Sequence, residues 1–136
     1  MVEKTLAIIK PDAMEDGHKD AIIALIKSNG FDVVAQKTVT LTDDQAGGFY
    51  AEHKERSFFG ELVKFMVSGP VTIMVLEKDT AIKGWRDLMG ATNPAEAAEG
   101  TVRKQFGRSK GENATHGSDS VASAEREIAY FFPELA

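Results

Sequence analysis

Of the three histidines, His18, His53 and His116, the last stands where chemistry is easiest to imagine, in Asn113-Ala114-Thr115-His116-Gly117-Ser118-Asp119-Ser120. An imidazole has a reference pKa of about 6.5, so near neutrality its unprotonated ring can serve as nucleophile, base or ligand. Gly117, directly after it, lets the backbone pass close to the ring or adopt a positive φ. Asp119 or Ser120 suits the N-cap of a helix that follows. The same eight residues also fit a polar turn that holds a histidine by chance, so the other reactive groups have to decide.

Those groups suit a polyphosphate. Lys10 closes the short apolar run Thr5-Leu6-Ala7-Ile8-Ile9, which places a lysine at the end of a buried strand. Arg86 falls on a different helical face from Trp85, while Thr92, Arg103 and Asn113 lie along a long connection between the last periodic segments. Lysine supplies a point charge, arginine a planar fork for phosphate oxygens, and threonine and asparagine neutral donors that fix orientation. Neither Gly-x-x-x-x-Gly-Lys-Ser/Thr nor Gly-x-Gly-x-x-Gly is present, so phosphate has to be held by side chains rather than by a glycine-rich loop. Metal ligation by the histidines is the weaker idea, since they are far apart and none belongs to a carboxylate-histidine motif of recognised spacing.

Alternating strands and helices have to position these residues. After the first strand, Lys10-Pro11-Asp12 reads as a stop and Glu15 to Lys19 as a polar turn with a solvated His18; Asp20 then reads as the N-cap of a helix burying Ile22, Leu25 and Ile26 up to Gly30. Phe31, Val33, Ala35 and Val39 alternate as a strand, and Thr42-Asp43-Asp44-Gln45 matches a capping box opening a helix with Ala46, Phe49, Tyr50 and His53 on one stripe. A helical run from Phe58 to Met66 stops at Ser68-Gly69-Pro70, Val71 to Leu76 reads as a buried strand, and Asp79 or Thr80 caps a helix carrying Ile82, Trp85, Leu88 and Met89 to Gly90. Residues 91 to 111 loosen into a connection holding the basic cluster Arg103, Lys104, Arg108 and Lys110, and excursions of that length tend to be functional or disordered. Val121, Ala124, Ile128 and Phe131 repeat at helical spacing, with Glu127 two turns inside, able to return toward a histidine ahead of the helix or to sit on the surface. The pattern points to an α/β or α+β domain.

At 136 residues the chain fits one domain spanning 1–136. Sixteen Lys+Arg against 21 Asp+Glu give a net charge of −5, so a globally basic nucleic-acid footprint is absent and nucleic acid is not expected as the main partner, although the Arg103 to Lys110 cluster leaves a local patch as an alternative. The absence of cysteine rules out disulfides and thiolate chemistry. The N-terminal apolar run is too short for a membrane span or a signal peptide, and a soluble, cytoplasmic protein is the expectation.

The chain resembles nucleoside diphosphate kinases along nearly its whole length. The likeness rests on Ile9-Lys10-Pro11-Asp12, Phe49-Tyr50-Ala51-Glu52-His53, Ser68-Gly69-Pro70, Gly90-Ala91-Thr92-Asn93-Pro94, Gly100-Thr101-Val102-Arg103, Asn113 with His116-Gly117-Ser118-Asp119-Ser120, and Glu127-Ile128-Ala129-Tyr130-Phe131-Phe132. It implies an α+β ferredoxin-like sandwich with a four-stranded antiparallel sheet, and ping-pong transfer of the terminal phosphate of ATP and other nucleoside triphosphates to nucleoside diphosphates with broad base specificity. It also implies His116 as the phosphorylated histidine and Ser118 and Glu127 as its orienting partners. By the same match Lys10, Tyr50, Arg86, Thr92, Arg103 and Asn113 fall on phosphate and sugar contacts, with Lys10 and Tyr50 counted in the catalytic set, and Phe58 falls on the base-stacking position. Mg²⁺ bridging the nucleotide phosphates and a homo-oligomer, tetramer or hexamer, complete the expectation. Two departures stand out. Lys110 occupies the place of an apolar residue opposite the stacking aromatic, and Asp20 stands where relatives usually have glycine. The other reading is a nucleotide-binding regulatory module of the same fold that turns over weakly or not at all.

Overall fold

The computed structural model describes residues 2–51, 55, 57, 59–109 and 112–135; Phe58, His53 and Lys110 therefore lie outside the described residues. The two apolar runs become neighbours at the sheet centre. β1 (Val2–Ile9) and β3 (Val71–Asp79) pair antiparallel along their length, from Val2 opposite Asp79 to Ile9 opposite Thr72. β2 (Asp32–Val39) pairs antiparallel with β3, and β4 (Thr115–Gly117) with Ala7 to Ile9 of β1, giving the order β2-β3-β1-β4.

Two crossovers produce that order. The first carries α1 (Pro11–Glu15) and α2 (Lys19–Ser28) between β1 and β2; the second carries α5 (Ala81–Met89) and α6 (Val102–Phe106) between β3 and β4. Each skips one strand, and two interlocked split β-α-β units make a ferredoxin-like sandwich. Helices α3 (Asp43–Phe49), α4 (Phe59–Met66) and α7 (Val121–Phe131) close the opposite face. Because successive strand residues point to opposite faces, Leu6, Ile8, Ile73 and Val75 pack against Phe49, Met66 and Phe131, while Ala7, Ile9, Met74 and Leu76 pack against Ile22, Ile26 and Trp85. Burial on both faces explains why these strands read as continuous apolar runs rather than as alternation.

β2 does not keep one face. Its register shifts between Val33, opposite Leu76, and Ala35, opposite the adjacent Val75, so Val34 is the extra residue of a bulge. Val33 accordingly packs toward α2 and α5, whereas Ala35 and Val39 pack toward the other layer.

Several local expectations need correction. Pro11-Asp12 ends β1 but also begins α1, since proline suits the first turn of a helix. Asp20 is not the N-cap of α2: His18 takes that position without a side-chain cap bond, and Asp20 lies in the first helical turn, where a carboxylate suits the helix dipole. At α5, Thr80 occupies the N-cap position with φ 50° but does not cap by its side chain. Glu3 of β1 does so instead, its carboxylate accepting from the Ile82 N–H at 3.2 Å. The capping box at Thr42 and Gln45 forms as expected.

The connection from 91 to 111 holds more structure than its composition suggests. Asn93 accepts from the Ala95 N–H to start a 3-10 turn, Pro94–Glu96, and Thr101 accepts from the Lys104 N–H to cap α6. Both elements, like the three-residue β4, are too short for any hydrophobic period to register.

Candidate active site

His116 sits on β4 beside the end of β1, with Ile8 directly opposite. The Lys10 N–H donates to the Ala114 carbonyl at 2.8 Å, so the strand that ends in the lysine and the strand that carries the histidine converge. The Trp85 indole N–H, from buried α5, donates to the His116 carbonyl at 3.1 Å. A Cβ on Gly117 would lie 2.6 Å from Trp85 Cδ1 and from Met89 Cε. Glycine follows the histidine here because Trp85 approaches the backbone closely; Gly117 is not among the positive-φ glycines.

The imidazole is held from one side. Its Nε2 lies 3.0 Å from Glu127 Oε1, which also accepts from the Ser118 hydroxyl at 2.8 Å. Ser118 Oγ in turn accepts from the Leu6 N–H at 3.2 Å, anchoring the group to β1. Ser120 starts α7 by accepting from the Ser123 N–H at 3.0 Å, and about two helical turns of 3.6 residues each return Glu127 toward β4. Glu127 is only 4% exposed. The rings of Phe49 and Tyr50 meet the imidazole edge-on, at 5.2 and 6.2 Å between centroids. The histidine side chain nevertheless stays 19% exposed.

The exposed part of the ring borders a pocket of about 690 Å³ whose wall includes Lys10, Arg86, Thr92, Arg103 and Asp119. Arg103 donates from one guanidinium nitrogen to the Gly90 carbonyl and from another to the Thr115 carbonyl, both at 3.0 Å. Lys10 Nζ donates to Asn113 Oδ1 at 3.0 Å, and the Asn113 amide donates to the Thr92 carbonyl at 3.0 Å. Asn113 is buried and reaches the pocket through these two partners. Burial, together with the nearby Arg103 cation, pushes the Lys10 ammonium down to about 8 despite the opposing pull of Asp12. Burial, and then Arg86, also lower the Arg103 guanidinium from its ordinary value. The cations Lys10 and Arg103 are the half-buried charges of this pocket, whereas its carboxylates Asp87, Glu96 and Asp119 are exposed, an arrangement suited to receiving phosphate.

Tyr50 lines a separate small pocket with Phe49, Arg126, Glu127 and His116 rather than the large one. Burial, and secondarily the Glu127 charge, raise its phenol above the ordinary tyrosine range. The basic cluster read at 103 to 110 disperses: Arg108 is committed to Asp16, Glu112 and Glu15 at 2.6, 2.8 and 3.0 Å on the surface, and Lys104 is not among the pocket residues. Among the described residues no group of three His, Cys, Asp or Glu converges to hold a metal.

The family profile of nucleoside diphosphate kinases matches residues 3–136. The chain belongs to the nucleoside diphosphate kinase family. Its structure is similar to the nucleoside diphosphate kinase of Aquifex aeolicus, with 48% identity, 99% of this chain and 98% of that chain covered, and a TM-score of 0.97. It is also similar to the apo enzyme of Encephalitozoon cuniculi, with 37% identity, coverage of 96% and 88%, and a TM-score of 0.91. The chain is accordingly a kinase that transfers the terminal phosphate of a nucleoside triphosphate to a nucleoside diphosphate, and it binds nucleotides.

Two residues of this kinase's site carried no signal in the sequence. Ala114 adopts φ 74° while fully buried, a conformation that composition does not announce for a residue with a Cβ. Asp12 read as part of a strand stop, yet its carboxylate accepts from the Ala114 N–H across the fold at 3.0 Å.

Proposed function

We propose that His116 is the residue phosphorylated in the exchange and that its Nδ1 is the attacking atom. The observation that carries this is the bond from Nε2 to Glu127. With the ring proton held on Nε2, the lone pair resides on Nδ1. Nδ1 attacks the terminal phosphorus, the bond to the bridging oxygen breaks, and the nucleoside diphosphate leaves; an oxygen of the acceptor diphosphate then attacks the same phosphorus and restores the ring. Positive charge that grows on the imidazole is met by the Glu127 carboxylate. Lys10, Arg86 and Arg103 bind the phosphoryl oxygens, where preorganised cations act most strongly because the charge is shared over several oxygens in the transition state. Thr92 and Asn113 fix the nucleotide and the lysine, and Tyr50 packs against the histidine from the far pocket.

The donor set fits a metal carried in by the substrate. Single carboxylates, Asp87, Glu96 and Asp119, line the pocket, and Mg²⁺ commonly binds through substrate phosphates and water with few protein ligands. When bound, Mg²⁺ neutralises phosphate charge; the chain's part is to hold the complex. Phe58 and Lys110 fall outside the described residues, and we assign them to the base, where one aromatic face stacks on any base and gives broad specificity. No observation supports a pocket that binds without turnover. We further place the kinase in the cytoplasm, as its cysteine-free composition allows; among the described residues no helix is long and apolar enough to cross a membrane. Assembly as a tetramer or hexamer is part of the proposal, supported by the open outer edge of β2 with exposed Val34; light scattering gives the mass.

The deciding test is labelling with γ-labelled ATP and Mg²⁺, expected to yield a phosphoenzyme whose acid-labile phosphate is on His116 Nδ1. Phosphate found on Nε2 would reverse the assignment of the two ring nitrogens.

The Lys10 environment adds a pH dependence. Its ammonium must be protonated to bind phosphate, and the proton leaves near pH 8 in the free protein. The ratio kcat/KM reports the free enzyme, so it should fall about tenfold per unit above that pH. A bound nucleotide raises the lysine pKa, so the kcat profile should bend at a higher pH than kcat/KM. Coincident bends would show that Lys10 does not set the profile.

A further inference from the structure

Asp12 has no part in the transfer as described above, yet it is buried at 2% exposure and ties the start of α1 to the segment that leads into β4. Its Oδ2 accepts from the Ala114 N–H at 3.0 Å, and the Ala114 carbonyl accepts from the Lys10 N–H at 2.8 Å. The backbone N–H and carbonyl of Ala114 are thus both bonded to the segment Lys10 to Asp12. Ala114 itself stands at φ 74°, a region disfavoured for a residue with a Cβ. The neighbours on either side of this strained residue are the ones the site uses: Asn113, which holds Lys10 Nζ, and, two residues on, His116. Relaxing Ala114 to an ordinary extended or helical conformation would swing Asn113 away from Lys10 and disturb the β4 register.

We propose that Asp12 is a positioning residue for phosphoryl transfer: its carboxylate clamps Ala114 at the positive φ that aligns Asn113, the partner of Lys10 Nζ, with His116, and its buried negative charge acts on the Lys10 ammonium. The proposal rests on the reading of Lys10 and His116 given above.

The electrostatics run the same way. The charged and titratable groups that line the pocket with Lys10 are Arg86 and Asp87 on α5, Glu96 in the 3-10 turn, Arg103 on α6, His116 on β4 and Asp119 after it, and Asp12 on α1 acts on Lys10 from outside that lining. Of the charges that act on Lys10, Arg103 lowers its pKa and Asp12 raises it. Burial raises the carboxyl of Asp12 itself, against the stabilising N–H of Ala114 and of its own helix start and the Lys10 charge.

Asp12→Asn separates the two roles, because an amide oxygen can still accept from Ala114 while the charge is gone. Removing the charge that opposes burial and Arg103 lets the Lys10 pKa fall further. The variant should therefore lose progressively more of its kcat/KM as the pH rises, its alkaline limb moving to lower pH, and should lose less than Asp12→Ala on the acid side. Asp12→Ala should lose activity at every pH, and Ala114→Gly in that background should restore part of the loss on the acid side, since glycine adopts positive φ freely. A third measurement, the NMR titration of the Lys10 ammonium, reads the charge coupling without reference to activity. An alkaline limb and a Lys10 titration that stay at their native positions in Asp12→Asn would overturn the proposal, as would the absence of rescue by Ala114→Gly. If His116→Ala kept its phosphoenzyme, the failure would lie instead with the functional reading, while the Lys10 titration would still judge Asp12.

Discussion

His116→Ala is expected to take up no phosphate from ATP and to lose exchange activity by on the order of 10⁴-fold or more, as removal of a covalent nucleophile does where no other group can replace it. The magnitude follows from the surroundings. Among the described residues the hydroxyl that shares Glu127 with the imidazole, that of Ser118, has its proton committed to Glu127 and its oxygen to the Leu6 N–H. Tyr50 faces the separate small pocket, and burial raises its phenol, so it stays protonated and unreactive. The fold should tolerate the change. The backbone of His116 keeps its place opposite Ile8 and its bond from Trp85. Glu127 loses one hydrogen bond but retains the Ser118 hydroxyl and the Arg126 guanidinium, 3.7 Å away. A stability loss of about 1 kcal/mol, the worth of one ordinary bond, is the expected figure by thermal unfolding. Nucleotide affinity should persist, because the cations proposed to bind phosphate sit on α5, α6 and the end of β1 rather than on the imidazole. An inactive variant that also fails to bind nucleotide would mean that the histidine holds the pocket together rather than attacking from it.

What the sequence disclosed depended on length and on locality. The β1 and β3 runs, the capping box at Thr42 and the apolar stripe of α7 are long or local enough for residue pattern to specify them. The pairing of Glu127 with His116 was visible as two turns of helix but not as a commitment, because a surface glutamate has the same spacing. Other features depend on partners remote in sequence. Glu3 caps α5 from 79 residues away, and Asp12 reaches Ala114 across 102. No window of neighbouring residues contains that information. The bulge at Val34 hid for the opposite reason: alternation continued through it unchanged while the face reversed. The basic cluster misled because proximity in sequence is not proximity in a short helix and its following loop. Arg103 turns into the pocket, whereas Arg108 turns out to the acids of α1. The family motifs named the candidate residues; the structure puts Arg103 in the wall of the large pocket, Asn113 behind it and Tyr50 in the small one.

Arg103→Ala should be the most damaging change outside the nucleophile, because it removes a phosphate cation and a structural tie together. The guanidinium fork joins the Gly90 carbonyl, at the turn that ends α5, to the Thr115 carbonyl, one residue before His116. Truncation leaves both carbonyls without this partner. Hydrogen bonds to charged groups are worth about 1.5–3 kcal/mol each, partly offset by relief from burying the charge, so a net loss of roughly 2–3 kcal/mol is expected in denaturant unfolding. Loss of one preorganised donor to developing charge costs about 10²–10³-fold in kcat. Arg103→Lys should recover little, since an ammonium restores the charge but cannot span two carbonyls in a planar fork. The pH profile provides the sharper check. Arg103 and burial together depress the Lys10 ammonium, and truncation both removes the repelling cation and opens the site to water. Each change raises the Lys10 pKa toward its ordinary value, so the alkaline limb of the residual kcat/KM should move up in Arg103→Ala and down in Asp12→Asn. Opposite displacements from two residues flanking one lysine would identify Lys10 as the group that titrates. Displacements in the same direction would assign the limb to another group.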